Sequence, residues 1–221
     1  MSFAQELRMA ADPLWRQERE HPFVTGLATG RLPLEKFRFY MCQDYVYLIS
    51  YSRVFALAAA KAESLASMGR FAQLLYATLH EEMALHRQYA AQFGILEEEL
   101  ERTEPAPTTR AYANHLLQAA YGGGLAHIVA AILPCQWGYH EIGLALCQTP
   151  DWEKSPYAEW IRTYSSAEFG NLAAMLRREL DRLAAGLGAE GRGELRDIFL
   201  ISSRYEYLFW EMSYREEGWP L

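Results

Sequence analysis

The sequence predicts an all-α protein: a single-domain bundle of seven or eight helices over residues 1–221. Apolar residues recur at i, i+3, i+4 and i+7 through every long segment, and no stretch keeps the alternation of a half-buried strand. Proline, glycine and Ser/Thr signals punctuate these segments where helices should start and stop, and no repeat, low-complexity tract or linker intervenes. With 221 residues and 51% hydrophobic content, the chain is able to bury one substantial core.

Taken in order, a first helix over about Ser2 to Glu20 is stopped by His21-Pro22. Gly26 and Gly30 mark a loop from Thr25 to Leu32, and Pro33 opens a second helix reaching about Ala62. A third runs from about Ser64 to Phe93 and ends at Gly94. Glu97 to Glu101 suits one short acidic turn before the connector Glu104-Pro-Ala-Pro107. Thr108 or Thr109 would cap the next helix, which ends at Gly122-Gly-Gly124. A strongly apolar helix follows and stops near Thr149-Pro150. A short piece around Pro156 to Trp160 leads to a helix over about Ser165 to Leu187. Gly186, Gly188, Gly191 and Gly193 mark a loop, and the last helix spans about Glu194 to Glu217.

Charge and cysteine usage narrow the function. A formal charge of −7 and the lack of any Lys/Arg run argue against a nucleic-acid partner. Residues Met1 to Ala10 carry Glu6 and lack a basic region followed by an apolar core, so no secretory signal is expected. The apolar stretches are broken by Arg53, Lys61, His127 or Gln136, so no membrane span is expected. Three cysteines without motif spacing argue against a disulfide framework or a zinc site, and the expectation is a cytoplasmic protein with free thiols.

Three helices carry one unusual residue each. In the apolar segment from Gly124 to Gln148, the residues Ile128, Ala131, Ile132, Cys135, Gly138, Tyr139, Ile142 and Leu146 share a face. Cys135 is the reactive group on that stripe. Pro134 should bend the helix just before it, and Gly138 leaves room on the same side. Buried packing is the other reading, because free cysteine often serves as a small hydrophobe. On the second helix Asp44 is the only charge among Phe37, Tyr40, Met41, Tyr47, Leu48, Tyr51 and Phe55. Such a carboxylate needs a partner, either a ligand or a group elsewhere in the protein. On the last helix Glu206 is the lone carboxylate among Leu195, Phe199, Ser202, Ser203, Phe209, Trp210 and Ser213. Desolvation there would raise its pKa and suit it to proton transfer. Tyr112 and Tyr164 read unaided as core. The Glu-x-x-His spacing of di-iron bundles occurs only at Glu18 to His21, beside a helix-breaking proline, and Glu81 and Glu82 read as solvated or paired.

Several long motifs in order resemble the TenA, or thiaminase II, family of the haem-oxygenase-like superfamily. They are His21-Pro22-Phe23-Val24, Gln43-Asp44-Tyr45-Val46-Tyr47-Leu48, Glu81-Glu82-Met83-Ala84-Leu85-His86, Leu133-Pro134-Cys135-Gln136-Trp137-Gly138-Tyr139 and Ile201 to Trp210, followed by Tyr214 to Trp219. The resemblance covers essentially the whole chain and, through Cys135, points to the cysteine-containing branch. It implies an aminopyrimidine aminohydrolase that turns 4-amino-5-aminomethyl-2-methylpyrimidine into its hydroxymethyl counterpart, and that also cleaves thiamin. Carried over by motif, Cys135 would be the nucleophile and Glu206 the acid/base at a ring nitrogen. Asp44 would bind the amino edge, Tyr47 and Tyr139 would enclose the ring, and Tyr112 and Tyr164 would support. The resemblance further implies a small-molecule pyrimidine substrate, no metal or organic cofactor, and a homotetramer. Gln136 and His140 depart from the bulkier residues of some relatives and should alter the pocket. Two other classes remain to be weighed: a binding protein that sequesters a pyrimidine without turnover, and a metal-dependent oxidase on the same bundle.

Overall fold

The computed structural model of the chain describes residues 1–220, with the side chains of all of these except Glu81 and Leu85. Among the described residues there are eleven α-helices and no strand. The count exceeds the expected seven or eight because the predicted helix from Ser64 to Phe93 divides, a helix forms after His21 where a loop is expected, and the short pieces near Glu97 and Pro156 are helical.

The chain forms two compact units, each assembled from separated stretches of sequence: Met1–Leu32 with Val129–Tyr214, and Pro33–Ile128 with Arg215–Leu221. The first unit begins with α1 (Phe3–Glu20), whose N-terminus is closed by a Ser2–Gln5 capping box. His21 ends α1 and caps α2 (Pro22–Thr29) through Nδ1, which accepts from Phe23 N–H at 3.1 Å. The predicted loop from Thr25 is therefore helical as far as Thr29. Pro22 at the first turn starts it, and Gly30, with φ +68°, ends it in the left-handed conformation that glycine adopts without strain.

The apolar segment is α8 (Leu125–Leu146), a helix that runs unbroken through Pro134, and the unit boundary falls between its residues 128 and 129. A 3₁₀ turn (Trp152–Lys154), α9 (Ala158–Ser165), α10 (Ala167–Ala184) and α11 (Ala189–Arg215) complete the unit. α11 starts five residues earlier than predicted and includes Gly191 and Gly193.

The second unit contains α3 (Leu34–Lys61), α4 (Leu65–Ala77), a π-helical turn (Thr78–Glu82), α5 (Met83–Gln92), α6 (Glu97–Arg102) and α7 (Pro107–Gly122). α3 is its centre, packed by α4, α5, α6 and α7. The predicted threonine cap of α7 is not used. Pro107 takes the first turn, Ala106 stands at the cap, and Glu217 Oε2 receives Thr108 N–H at 3.0 Å. Thr109 instead donates its hydroxyl to Gln43 Oε1 at 2.7 Å.

Candidate active site

In the first unit, α8 carries Cys135 and Tyr139 on one stripe. Every other residue of that stripe is buried, and Cys135 alone is partly accessible. Tyr139 sits in a nest of rings. Its centroid is 4.8 Å from Tyr164 of α9, 5.8 Å from Trp160 of α9 and 5.1 Å from Trp210 of α11. Such offset and edge-on contacts are favourable beyond the area they bury. Tyr164 is held further by its carbonyl, which accepts from His140 Nδ1–H at 2.9 Å. His140 thus ties α9 to α8. Gln136 is buried.

Glu206 is buried on α11, along with the full stripe expected around it. Sequence reasoning passed over a second buried carboxyl in this unit, Glu18 of α1, which is 1% exposed. Gly138, one turn past Cys135, does leave room as expected, and Glu18 Oε2 reaches toward it, 3.8 Å from where a Cβ would stand. Burial, and next the nearby charge of Glu206, push Glu18 well above the usual carboxylate range. The signal that marked Asp44 and Glu206 was present here too, since Glu18 is the lone carboxylate following Leu7, Ala11 and Trp15 on one face. His21, the other half of the Glu-x-x-His spacing, has both ring nitrogens engaged, by Phe23 N–H and by Glu211 Oε2 at 2.9 Å.

In the second unit, the α3 stripe of Asp44 is buried throughout. Tyr47 lies 5.1 Å from Tyr112 of α7 and 5.6 Å from Tyr51, ring centre to ring centre. His86 of α5 donates Nε2–H to the Met41 carbonyl at 2.7 Å, which leaves Nδ1 as the face toward Asp44 Oδ2, 3.6 Å away. Burial lowers His86 to about 4, opposed by the Met41 hydrogen bond, so its imidazole is neutral at pH 7. Glu82, expected to be solvated or paired, is hydrogen-bonded with the Thr78 side chain, and burial nonetheless pushes it up to about 7. The reading of Glu81 lies outside the described side chains. A groove of about 500 Å³ bounded by Leu34, Arg38, Cys42, Glu99 and Thr103 contains none of the expected site residues. Among the described residues, no three His, Cys, Asp or Glu side chains cluster as metal ligands, and no helix is long and apolar enough to cross a membrane.

Residues 8–216 match the TENA/THI-4/PQQC family. An aminopyrimidine aminohydrolase of Halalkalibacterium halodurans is 48% identical over 220 residues, covering 99% of this chain and 98% of its own. The solved structure of a TenA homologue from P. horikoshii OT3 superposes with a TM-score of 0.89 at 34% identity, covering 97% of this chain and 99% of that one. A domain of unknown function from Shewanella denitrificans OS217, described as having a heme oxygenase-like fold, is 14% identical with a TM-score of 0.75 over 96% of this chain and 92% of its own, so the all-α haem-oxygenase-like architecture is shared. The chain belongs to the TENA/THI-4/PQQC family.

Proposed function

We propose that the protein is an aminopyrimidine aminohydrolase of thiamin salvage that works by covalent catalysis through Cys135. The observation that carries this reading is the exposure of Cys135: the reactive group on the α8 stripe is also its one accessible member. A core cysteine would be closed off like its neighbours. The near-full-length similarity to a protein named aminopyrimidine aminohydrolase supports the same substrate class.

Each residue type suits a step. The Cys135 thiolate adds to the ring carbon beside a ring nitrogen, and Glu206 gives that nitrogen a proton. The electrons gained by the ring expel ammonia from the methylene carbon of 4-amino-5-aminomethyl-2-methylpyrimidine, leaving an exocyclic alkene. Water adds to it, Glu206 takes its proton back, and the thiolate departs as aromaticity returns. The family resemblance assigns Asp44 to the ring's amino group, Tyr47 and Tyr139 to its faces, and Tyr112 and Tyr164 to their support. Thiamin fits the same scheme with the thiazole as leaving group.

In this reading the chain is one domain over residues 1–221, because each compact unit draws on two separated stretches. Three partly accessible cysteines outside any disulfide suit the reducing cytoplasm. The assembly is a homotetramer, a reading supported by exposed apolar residues on α4. Incubating wild type and Cys135→Ala with the aminomethylpyrimidine and with thiamin tests the proposal. Wild type should turn over the first, Cys135→Ala neither, and Glu206→Gln should lose at least ~10²-fold in kcat. Undiminished turnover by Cys135→Ala would remove the covalent role, and an inactive wild type would remove the function.

A further inference from the structure

Glu18 lies between two rungs of contact that join α1 to α11. One turn before it, Trp15 Nε1–H donates to Ser203 Oγ at 3.0 Å, and Ser203 stands one turn before Glu206. Three residues after it, His21 meets Glu211, with the Tyr207 and Tyr214 rings edge-on at 5.6 and 5.8 Å. The two helices therefore run side by side in the same direction here, and Glu18 and Glu206 share the rung between.

The charges around Glu18 leave it without a cation of its own. The positive groups that act on it are Arg19 and Arg8 of α1, and Glu141 of α8 holds both. Arg8 grips Glu141 through Nε at 3.0 Å and NH2 at 2.7 Å, and Arg19 reaches it at 3.4 Å. Arg8 is also engaged by Asp12 at 3.0 Å and lies 4.4 Å over the Trp15 ring. α10 packs on α1 as well, but its Asp181 takes Ala4 N–H at the opposite end. Glu18 Oε1 is buried with no hydrogen-bond partner among the described residues. A bare carboxylate so placed is costly, and a neutral carboxyl is not.

We propose that Glu18 and Glu206 form a buried carboxyl pair, both protonated at rest, with Glu18 as a positioning residue that keeps its own proton, stays off the substrate and leaves Glu206 able to give and retake its proton. The inference rests on the acid/base role of Glu206 given above. When Glu206 passes its proton to the ring nitrogen, the Glu18 O–H donates to the new carboxylate, so the pair never carries two charges. When the ring nitrogen loses that proton, it returns to Glu206. The burial and like-charge effects on Glu18 agree with this assignment.

Two measurements test it. In protein labelled with ¹³C at the glutamate side-chain carboxyls, the signal that vanishes in Glu18→Gln should be that of a protonated carboxyl at pH 7. In Glu206→Gln its titration should fall by about one pH unit or more, because the neighbouring charge is gone. An unchanged Glu18 titration in Glu206→Gln would overturn the pairing. This readout needs no turnover, so it stands or falls independently of the hydrolytic reading. The kinetic readout is the alkaline limb of kcat/KM, which should move about one unit or more to higher pH in Glu18→Gln, because the carboxylate loses its carboxyl donor, and back toward wild type in Glu18→Asp. A Glu18→Gln limb that coincides with wild type would overturn the positioning role. Should Glu18→Gln fail to fold, the wild-type and Glu206→Gln titrations still decide the pairing.

Discussion

An alanine Cβ at Gly143 of α8 would fall 2.6 Å from Ser165 N and 2.7 Å from Tyr164 C. Those are backbone atoms, so no rotamer change relieves the overlap, and α9 must move away from α8. Tyr164 would move with it, losing its edge-on contact with Tyr139 and its His140 hydrogen bond. Gly143→Ala should therefore cost about 1–3 kcal/mol of stability and raise KM for the pyrimidine. Gly138→Ala makes the contrast, since its Cβ would meet only Glu18 Oε2 at 3.8 Å and the fold should lose nothing. Thermal unfolding and steady-state kinetics of both variants check this, and an unchanged Tm in Gly143→Ala would refute the close approach. Gly143 was not legible beforehand, because the partner it admits comes from a helix some twenty residues on. Asp44 and Glu206 were legible, since each is a single charge on an apolar period. Glu18 gave the same signal but was read as half of a metal motif, and the competing pattern hid it. Partial accessibility of Cys135 was beyond sequence altogether, because which turn of an apolar stripe stays accessible depends on its neighbours' packing.

The segment from Leu65 to Gln92 shows where element boundaries escape the sequence. It reads as one helix and is two, joined by the π-helical turn at Thr78–Glu82. Residues at both edges keep right-handed helical dihedrals, φ −60° at Ala77 and −67° at Met83, so no breaker is needed and none appears. Such insertions re-aim side chains and recur at functional sites. Here the turn and α5 hold two groups whose ionisation acts on stability with opposite signs. His86 falls from 6.5 to about 4, so the unfolded chain binds more protons between those values. Its contribution is present above pH 6.5 and is lost as pH falls toward 4. Glu82 rises from 4.5 to about 7, so the folded chain binds more protons in that window. Its contribution is lost as pH climbs from 4.5 through 7. The two slopes offset each other between pH 4.5 and 6.5, and Glu82→Gln should uncover the His86 slope. That variant should gain on the order of 2 kcal/mol over wild type at pH 8 and little at pH 4.5. Denaturant unfolding at pH 4.5, 6.5 and 8 measures it, and a variant curve parallel to wild type would show that Glu82 is not desolvated. Caps were the more legible part. His21-Pro22 ended α1 as expected, yet Gly191 and Gly193 misled, because packing of α11 outweighs a glycine cost of ~1 kcal/mol each.

At the scale of the whole molecule, the helical periodicity and its punctuation exposed the all-α class, but not which apolar faces remain open. α4 is apolar on two sides, so its pattern pointed to neither. Its Ser67, Phe71 and Leu74 are buried, while Leu65 is 86% exposed, Met68 40% and Tyr76 60%, with Leu79 of the π turn at 42%. A row of four large apolar side chains in water is a liability for a monomer and is expected of a contact surface. Covering it by identical copies in a closed symmetric assembly removes the liability without leaving an open end. Light scattering on the eluting protein should then give the mass of four 25.3 kDa protomers. Replacing Tyr76 and Leu79 together by lysine should lower that mass while leaving helix content unchanged, because neither side chain belongs to the core. A wild-type mass of one protomer would end the tetramer reading. A tetramer indifferent to both lysines would move its interface off α4.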